Sequence, residues 1–240
     1  MMPIDIKWFP PAWFQIKTGK KIIYIDPAYL KKYYKNYPKK VEFSSWPDPI
    51  DGLPEKNLEK ADVILVTHHH KDHCKRVTVN RLMKRDSTII APRRCSKELG
   101  KEISFILPED EIEIDHVRIN AVEAHNKKRG KKNKIVHKKG VGVGYIINIE
   151  GRSIYHAGDT DFIPEMIEHG KIDVALLPIG GRDFTMNLTE AVQAAIMIKP
   201  LVAIPIHRFE ADPQEFKKQV ENKSDIKVAA LQTGEVYHLK

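Results

Sequence analysis

Four apolar residues, Val63-Ile64-Leu65-Val66, run straight into Thr67-His68-His69-His70-Lys71-Asp72-His73-Cys74. Few other features restrict the chain as much. The apolar run suits a buried strand, predicted over Asp62–Thr67, and is far too short to cross a bilayer. That strand delivers a polar turn at its end, the usual place for function on a rigid base. His68 and His70, two apart, can point the same way from an extended turn while His69 points elsewhere. Asp72 and His73 add an oxygen and a further imidazole. Imidazole suits zinc and neighbouring transition metals, and a carboxylate brings a hard oxygen for a second ion. A histidine triplet alone could be a polar loop; Asp72-His73 at this offset favours metal.

Three further strand ends offer ligands: His125 in Ala124-His125-Asn126, Asp159 in Gly158-Asp159-Thr160, and His207 in Pro205-Ile206-His207. Each closes an apolar stretch, and ligands gather at the carboxyl ends of strands in open sheets.

The predicted order of elements begins with a hairpin that joins Trp13–Lys17 to Lys20–Asp26 and ends at Asp26-Pro27. From Tyr29 to Glu59 an irregular stretch carries many aromatics and reads as a surface excursion, either a wall of a site or an inert loop. Thr78 would cap a helix over Val79–Arg85, with Val79, Leu82 and Met83 facing inward. A strand over Thr88–Ala91 stops at Pro92, and two or three strands fill Glu111 to Ala124. Val141–Ile149 and Ser153–Ala157 form a hairpin across Glu150-Gly151. The order then becomes regular: helix Pro164–His169, strand Asp173–Pro178, helix Leu188–Ile198, strand Val202–Ile206, helix Pro213–Val220, strand Ile226–Ala230. Asn187 with Glu190 resembles a capping box. A β-rich first part and an alternating second part suggest sheets sandwiched between helices. One domain is expected over residues 1–240, since nothing reads as a linker.

Composition excludes little but places the charge. The formal charge of +8 comes from residues 127–139, which hold eight cations and no acid; removing those eight from the 40 Lys and Arg leaves 32 against 32 Asp and Glu. Such a run attracts anions or is simply solvated. The first residues lack an apolar signal core, and Cys74 and Cys95 fit neither a disulfide framework nor a CxxC knuckle. Both are read as buried thiols of a cytoplasmic protein.

His68-x-His70-x-Asp72-His73, His125, Gly158-Asp159-Thr160 and His207 together resemble the metallo-β-lactamase superfamily in its metal-dependent hydrolase branch. Tyr155-His156-Ala157-Gly158-Asp159-Thr160-Asp161, Leu177-Pro178-Ile179-Gly180-Gly181, Phe184-Thr185-Met186 and Ile204-Pro205-Ile206-His207 are similar to the ascorbate-6-phosphate lactonase-like group and related hydrolases within it. The likeness departs at Phe9-Pro10-Pro11-Ala12-Trp13, where such proteins often carry Gly-His. It departs again at Arg208-Phe209-Glu210, where a Tyr-bearing continuation is usual.

The resemblance implies a four-layer αββα sandwich and two divalent ions, zinc first and manganese or iron as alternatives. One ion would take His68, His70 and His125, the other Asp72, His73 and His207, with Asp159 between them. A hydroxide bridging the ions would attack an ester-type bond, phosphodiester or lactone, and Asp72 would orient it. His137 resembles a residue at the pocket mouth, in contact with substrate or leaving group. Asp26 reads as a turn former, with the alternative that it holds a ligand histidine. His156 reads as packing. Arg182 and Arg208 read as anion binders or as members of surface salt bridges. A small anionic substrate is the expected partner and a nucleic acid the less favoured one; no membrane association is expected, and a homo-oligomer is compatible with the sequence. Di-iron redox chemistry on the same fold is disfavoured, because His70 stands where that usage has a carboxylate. A non-enzymatic, nucleic-acid-binding protein is the alternative function, and retention of all seven ligands argues against it.

Overall fold

A computed structural model describes residues 3–28, 58–100, 102–127 and 135–240. Most of the aromatic stretch from Tyr29 and most of the basic run, residues 128–134, lie outside them. The chain divides into two compact units, one of Met1–Ile106 with Leu231–Lys240 and one of Leu107–Ala230. Each contains one seven-stranded sheet.

In the first unit β1 (Ile4–Phe9), β2 (Trp13–Lys17) and β3 (Ile22–Ile25) run antiparallel, and β4 (Ala61–Leu65), α1 (Arg76–Leu82), β5 (Met83–Ala91), α2 (Ser96–Leu99) and β6 (Ser104–Phe105) come after them. From β3 to β6 the pairing is parallel. The chain's last strand, Val236–Leu239, pairs with β1 and completes the sheet. Strand β4 is buried on both faces from Val63 onward, as parallel strands covered on two sides are. The predicted hairpin is present as β2 and β3. Strand β1 was not foreseen, although Ile4, Ile6 and Trp8 alternate inward along it; flanking prolines hid the period.

The helix near Thr78 differs from expectation. It begins at Arg76, behind Lys75, and stops at Leu82, so Thr78 lies inside it and caps nothing. The threonine hydroxyl instead donates to the Ala28 carbonyl at 2.8 Å, tying the helix to the end of the β3 segment. Met83 already has extended backbone and opens β5. Cys74 and Cys95 are both buried and free. A hydrogen bond between their thiols, together with burial, pushes the Cys74 thiol well above its ordinary pKa.

In the second unit β7 (Glu111–Ile114), β8 (Val117–Ala124), β9 (Gly142–Ile149) and β10 (Arg152–His156) form an antiparallel meander. Glu150 and Gly151 connect β9 to β10 with φ of 51° and 76°, the left-handed pair that a two-residue hairpin turn requires. Parallel strands β11 (Val174–Pro178), β12 (Val202–Ile206) and β13 (Lys227–Val228) extend the sheet beyond β10. Helices α3 (Leu188–Ile198) and α4 (Pro213–Glu221) occupy the crossovers. Their buried faces, Ala191, Val192, Ala195, Phe216 and Val220, share one apolar cluster with Ala175, Leu177 and Ala203 of the strands. The helix expected over Pro164–His169 is a 3-10 helix. Among the described residues no helix is long and apolar enough to cross a membrane.

Helix α3 starts where the sequence placed it. Asn187 accepts from the Glu190 amide at 3.0 Å while Glu190 accepts from the Asn187 amide at 2.9 Å, a reciprocal cap that satisfies two helix-end donors. Loss of such a cap costs about 1 kcal/mol. Asn187→Ala should therefore lower the thermal midpoint by roughly 2–4 °C, read by differential scanning calorimetry against the unmodified protein.

Candidate metal centre

Each unit carries its own set of donor side chains. In the first, β4 ends at Leu65 and the turn after it is folded back on itself: the amides of His73 and Cys74 both donate to the His70 carbonyl, at 3.1 and 2.8 Å. His68 and His70 then offer ring nitrogens within 4.8 Å of one another, and so do Asp72 and His73 on donor atoms of their own. His69 is not among these grouped donors, although its ring lies 4.8 Å from that of His70. Burial, with the charges of Arg94 and Lys97, holds its imidazole below the usual histidine range.

Asp26 organises these histidines. It is fully buried and sits at φ 49° just after β3, so the turn-forming reading and the histidine-holding reading both apply. Its carboxylate accepts from the Thr67 amide and hydroxyl, each at 2.7 Å, and from His73 Nδ1 at 2.7 Å. Since the Thr67 hydroxyl gives its proton to Asp26, its lone pair accepts from His68 Nδ1 at 3.0 Å. Both Nδ1 atoms therefore carry hydrogen, and both imidazoles present Nε2 as the basic nitrogen. This is how metal-binding histidines are usually oriented.

In the second unit Asp159 is the hub, 5% exposed. Its Oδ2 lies 3.4 Å from His207 Nε2 and 3.6 Å from His137 Nε2. The strand end is shaped by His156, whose Nδ1 accepts from the Gly158 amide at 3.1 Å; it packs, as expected. His207 leaves β12 directly and takes φ 44°, a left-handed turn that carries its side chain toward Asp159.

His137 is held by Asn126. The amide nitrogen of Asn126 donates to Asp161 at 3.0 Å and to the Phe184 carbonyl at 2.8 Å, which fixes Oδ1 as the acceptor. That oxygen accepts from the His137 amide at 3.0 Å and from its Nδ1 at 2.8 Å. His137 therefore presents Nε2 toward Asp159, the same tautomer as His68 and His73.

His125 is placed differently from the sequence expectation. Its backbone is laced to Thr160 at 3.1 Å and to the Asp161 amide at 3.0 Å, but its Nε2 faces Glu165 at 3.7 Å. Lys139 donates to the same Glu165 at 2.7 Å and holds that carboxyl below the ordinary range. Of the two arginines, Arg208 donates to the Pro205 carbonyl at 3.0 Å, and Arg182 pairs with Glu210, the salt-bridge alternative.

Sequence reasoning missed Thr67 and Asn126, which hydrogen-bond His68 and His137, and Asp161, which holds the Asn126 side chain. Their signals were adjacency to His68, to His125 and to the Asp159-Thr160 pair.

Thr67, Asp26 and Asn126 fix imidazole tautomers in a way that suits coordination, and buried carboxylates stand among the nitrogens. The residues present fit divalent metal.

Comparisons agree. Residues 5–207 match the model of the β-lactamase superfamily domain. A metal-dependent hydrolase of Pyrococcus furiosus is 35% identical over 251 residues, covering 98% of this chain and 100% of that one. A solved metallo hydrolase from Ignicoccus hospitalis is 25% identical with a TM-score of 0.74, covering 99% of both chains. A solved protein of Parabacteroides distasonis is 28% identical with a TM-score of 0.78, covering 95% of this chain and 92% of that one. The α/β fold with two sheets expected from the sequence is the one these relatives share, and the chain belongs to the metal-dependent hydrolase branch of the metallo-β-lactamase superfamily.

Proposed function

We propose that the enzyme hydrolyses an ester-type bond, a phosphodiester or a lactone, in a small anionic substrate, using two divalent ions. His68, His70 and His137 hold one ion; Asp72, His73 and His207 hold the other; Asp159 is shared. The observation that carries it is the common tautomer of His68, His73 and His137, each with Nδ1 donating to an oxygen of the protein and Nε2 left basic. His137 takes the place that the sequence reading gave to His125, because it is His137 whose Nε2 faces Asp159.

Such ions, when bound, acidify water to a pKa of roughly 7 and polarise the oxygen of the bond under attack. The chain's own residues do the rest. Asp72 is partly exposed and would orient the attacking water by accepting a hydrogen bond from it. Asp26 and Thr67 keep the histidines in register. Lys127, Lys138 and Lys139, with the other cations of residues 127–139, raise the local concentration of anions. Zinc is the metal favoured by an imidazole-rich set, with manganese or iron as alternatives where availability dictates.

The test compares His137→Ala with His125→Ala on bis-p-nitrophenyl phosphate and on a simple lactone, with metal content measured in parallel. His137→Ala should lose metal and drop kcat/KM by at least ~100-fold, beyond the usual cost of losing a ligand's orienting partner. His125→Ala should keep its metal and stay within about threefold. The opposite pattern would return the ligand role to His125.

Asp26→Asn puts an NH2 group where Thr67 and His73 both donate. Metal affinity should fall roughly 10–100-fold, measured by competition with a chromophoric chelator, and the thermal midpoint of the metal-free protein should fall as well, because buried donors of Thr67 and His73 lose their acceptor.

A further inference from the structure

Two loops at the ends of neighbouring parallel strands bring a pair of aromatic rings beside His207. The loop after β11 carries Phe184, and the loop after β12 carries Phe209; Pro178 and Ile206, which close the strands, are register partners. The Phe209 ring lies 4.7 Å from the His207 imidazole and 6.2 Å from the Phe184 ring. The Arg182 guanidinium covers Phe209 at 5.2 Å and is anchored by Glu210. Phe184 is 39% exposed, an apolar ring open to solvent close to buried polar side chains.

The backbone is bent to achieve this. Arg182, Asp183, His207 and Phe209 all have φ between 44° and 63°, a region that costs a side-chain-bearing residue energy and clusters at functional positions. Gly180 makes the approach possible: a Cβ there would lie 2.3 Å from the His207 carbonyl oxygen and 2.3 Å from the Phe209 ring. Four strained residues and one obligatory glycine thus serve to seat one aromatic ring against the His207 imidazole, with a second ring open beside it. Packing alone does not require that, since an exposed phenylalanine gains little from being held in place. Ligand pockets combine such aromatic walls with a few convergent polar groups.

We propose that Phe184 and Phe209 form the subsite for an aromatic group of the substrate, with Arg182 and Gly180 positioning Phe209. The proposal rests on the hydrolase reading for what lies next to the rings. It assigns the substrate class as an ester or phosphodiester whose acyl or leaving group is a planar ring. Offset or edge-on stacking against Phe184 is the recognition element.

The test is a binding measurement that needs no turnover. Phenylphosphonate and methylphosphonate carry the same anionic head and differ in the ring, and their dissociation constants are read by calorimetry on the zinc-loaded protein. Phenylphosphonate should bind about fivefold to tenfold more tightly, in line with an aromatic pair. Phe184→Ala should abolish that preference without changing methylphosphonate binding, and Phe184→Tyr should keep it. Equal affinity of the two phosphonates for the unmodified protein, no binding of either, or a preference that survives Phe184→Ala would each overturn the subsite. Failure of the hydrolase reading shows separately, as absence of turnover on both the phosphodiester and the lactone by the zinc-loaded, unmodified enzyme.

Discussion

Burying an ionised carboxylate is costly unless opposite charge and hydrogen bonds compensate it. Asp26 and Asp159 are among the carboxylates buried here. At Asp26 the compensation comes from the protein: two donors of Thr67 and one of His73 converge on it at 2.7 Å. At Asp159 the neighbours are His137 and His207, each presenting Nε2 within 3.6 Å. A divalent cation is the partner that suits a carboxylate and two basic nitrogens together. The first carboxylate thus orients ligands, and in the proposed centre the second binds metal.

That division depends on where the strands stop. Strands β4, β10 and β12 consist largely of buried residues, so their positions are set by apolar packing before any polar group is considered. Polar side chains come within three residues of each end, carried on a base that cannot easily shift. Left-handed backbone at Asp26, His207 and Phe209 then turns the chain sharply where a continued strand would have carried the side chain past the neighbours it now faces.

Much of this was legible in the sequence because it is local. An apolar run ending in histidines, a Gly-Asp-Thr after a second run and an Ile-His after a third each announce a strand end with a functional tip. The capping box at Asn187 and the turn at Glu150-Gly151 are also local, and the structure has both. The choice between His125 and His137 was not legible. Both come after β8 within thirteen residues, and only the bridge from Asn126 to His137 at 2.8 Å, formed across a loop, decides which ring meets Asp159. Thr78 misled for a similar reason: its hydroxyl is a good cap in isolation, but a carbonyl fifty residues away, at Ala28, claims it. The aromatic rings at Phe184 and Phe209 stood in plain view, yet nothing in the order of residues says that two loops place them together.

Metal content of the purified chain is the most direct measurement. Elemental analysis after dialysis should find two divalent ions per chain in the unmodified protein, and loss of tightly held metal in Asp159→Ala with the fold intact by circular dichroism. Retention of the same metal content in Asp159→Ala, or none in the unmodified protein after incubation with zinc, would contradict the account.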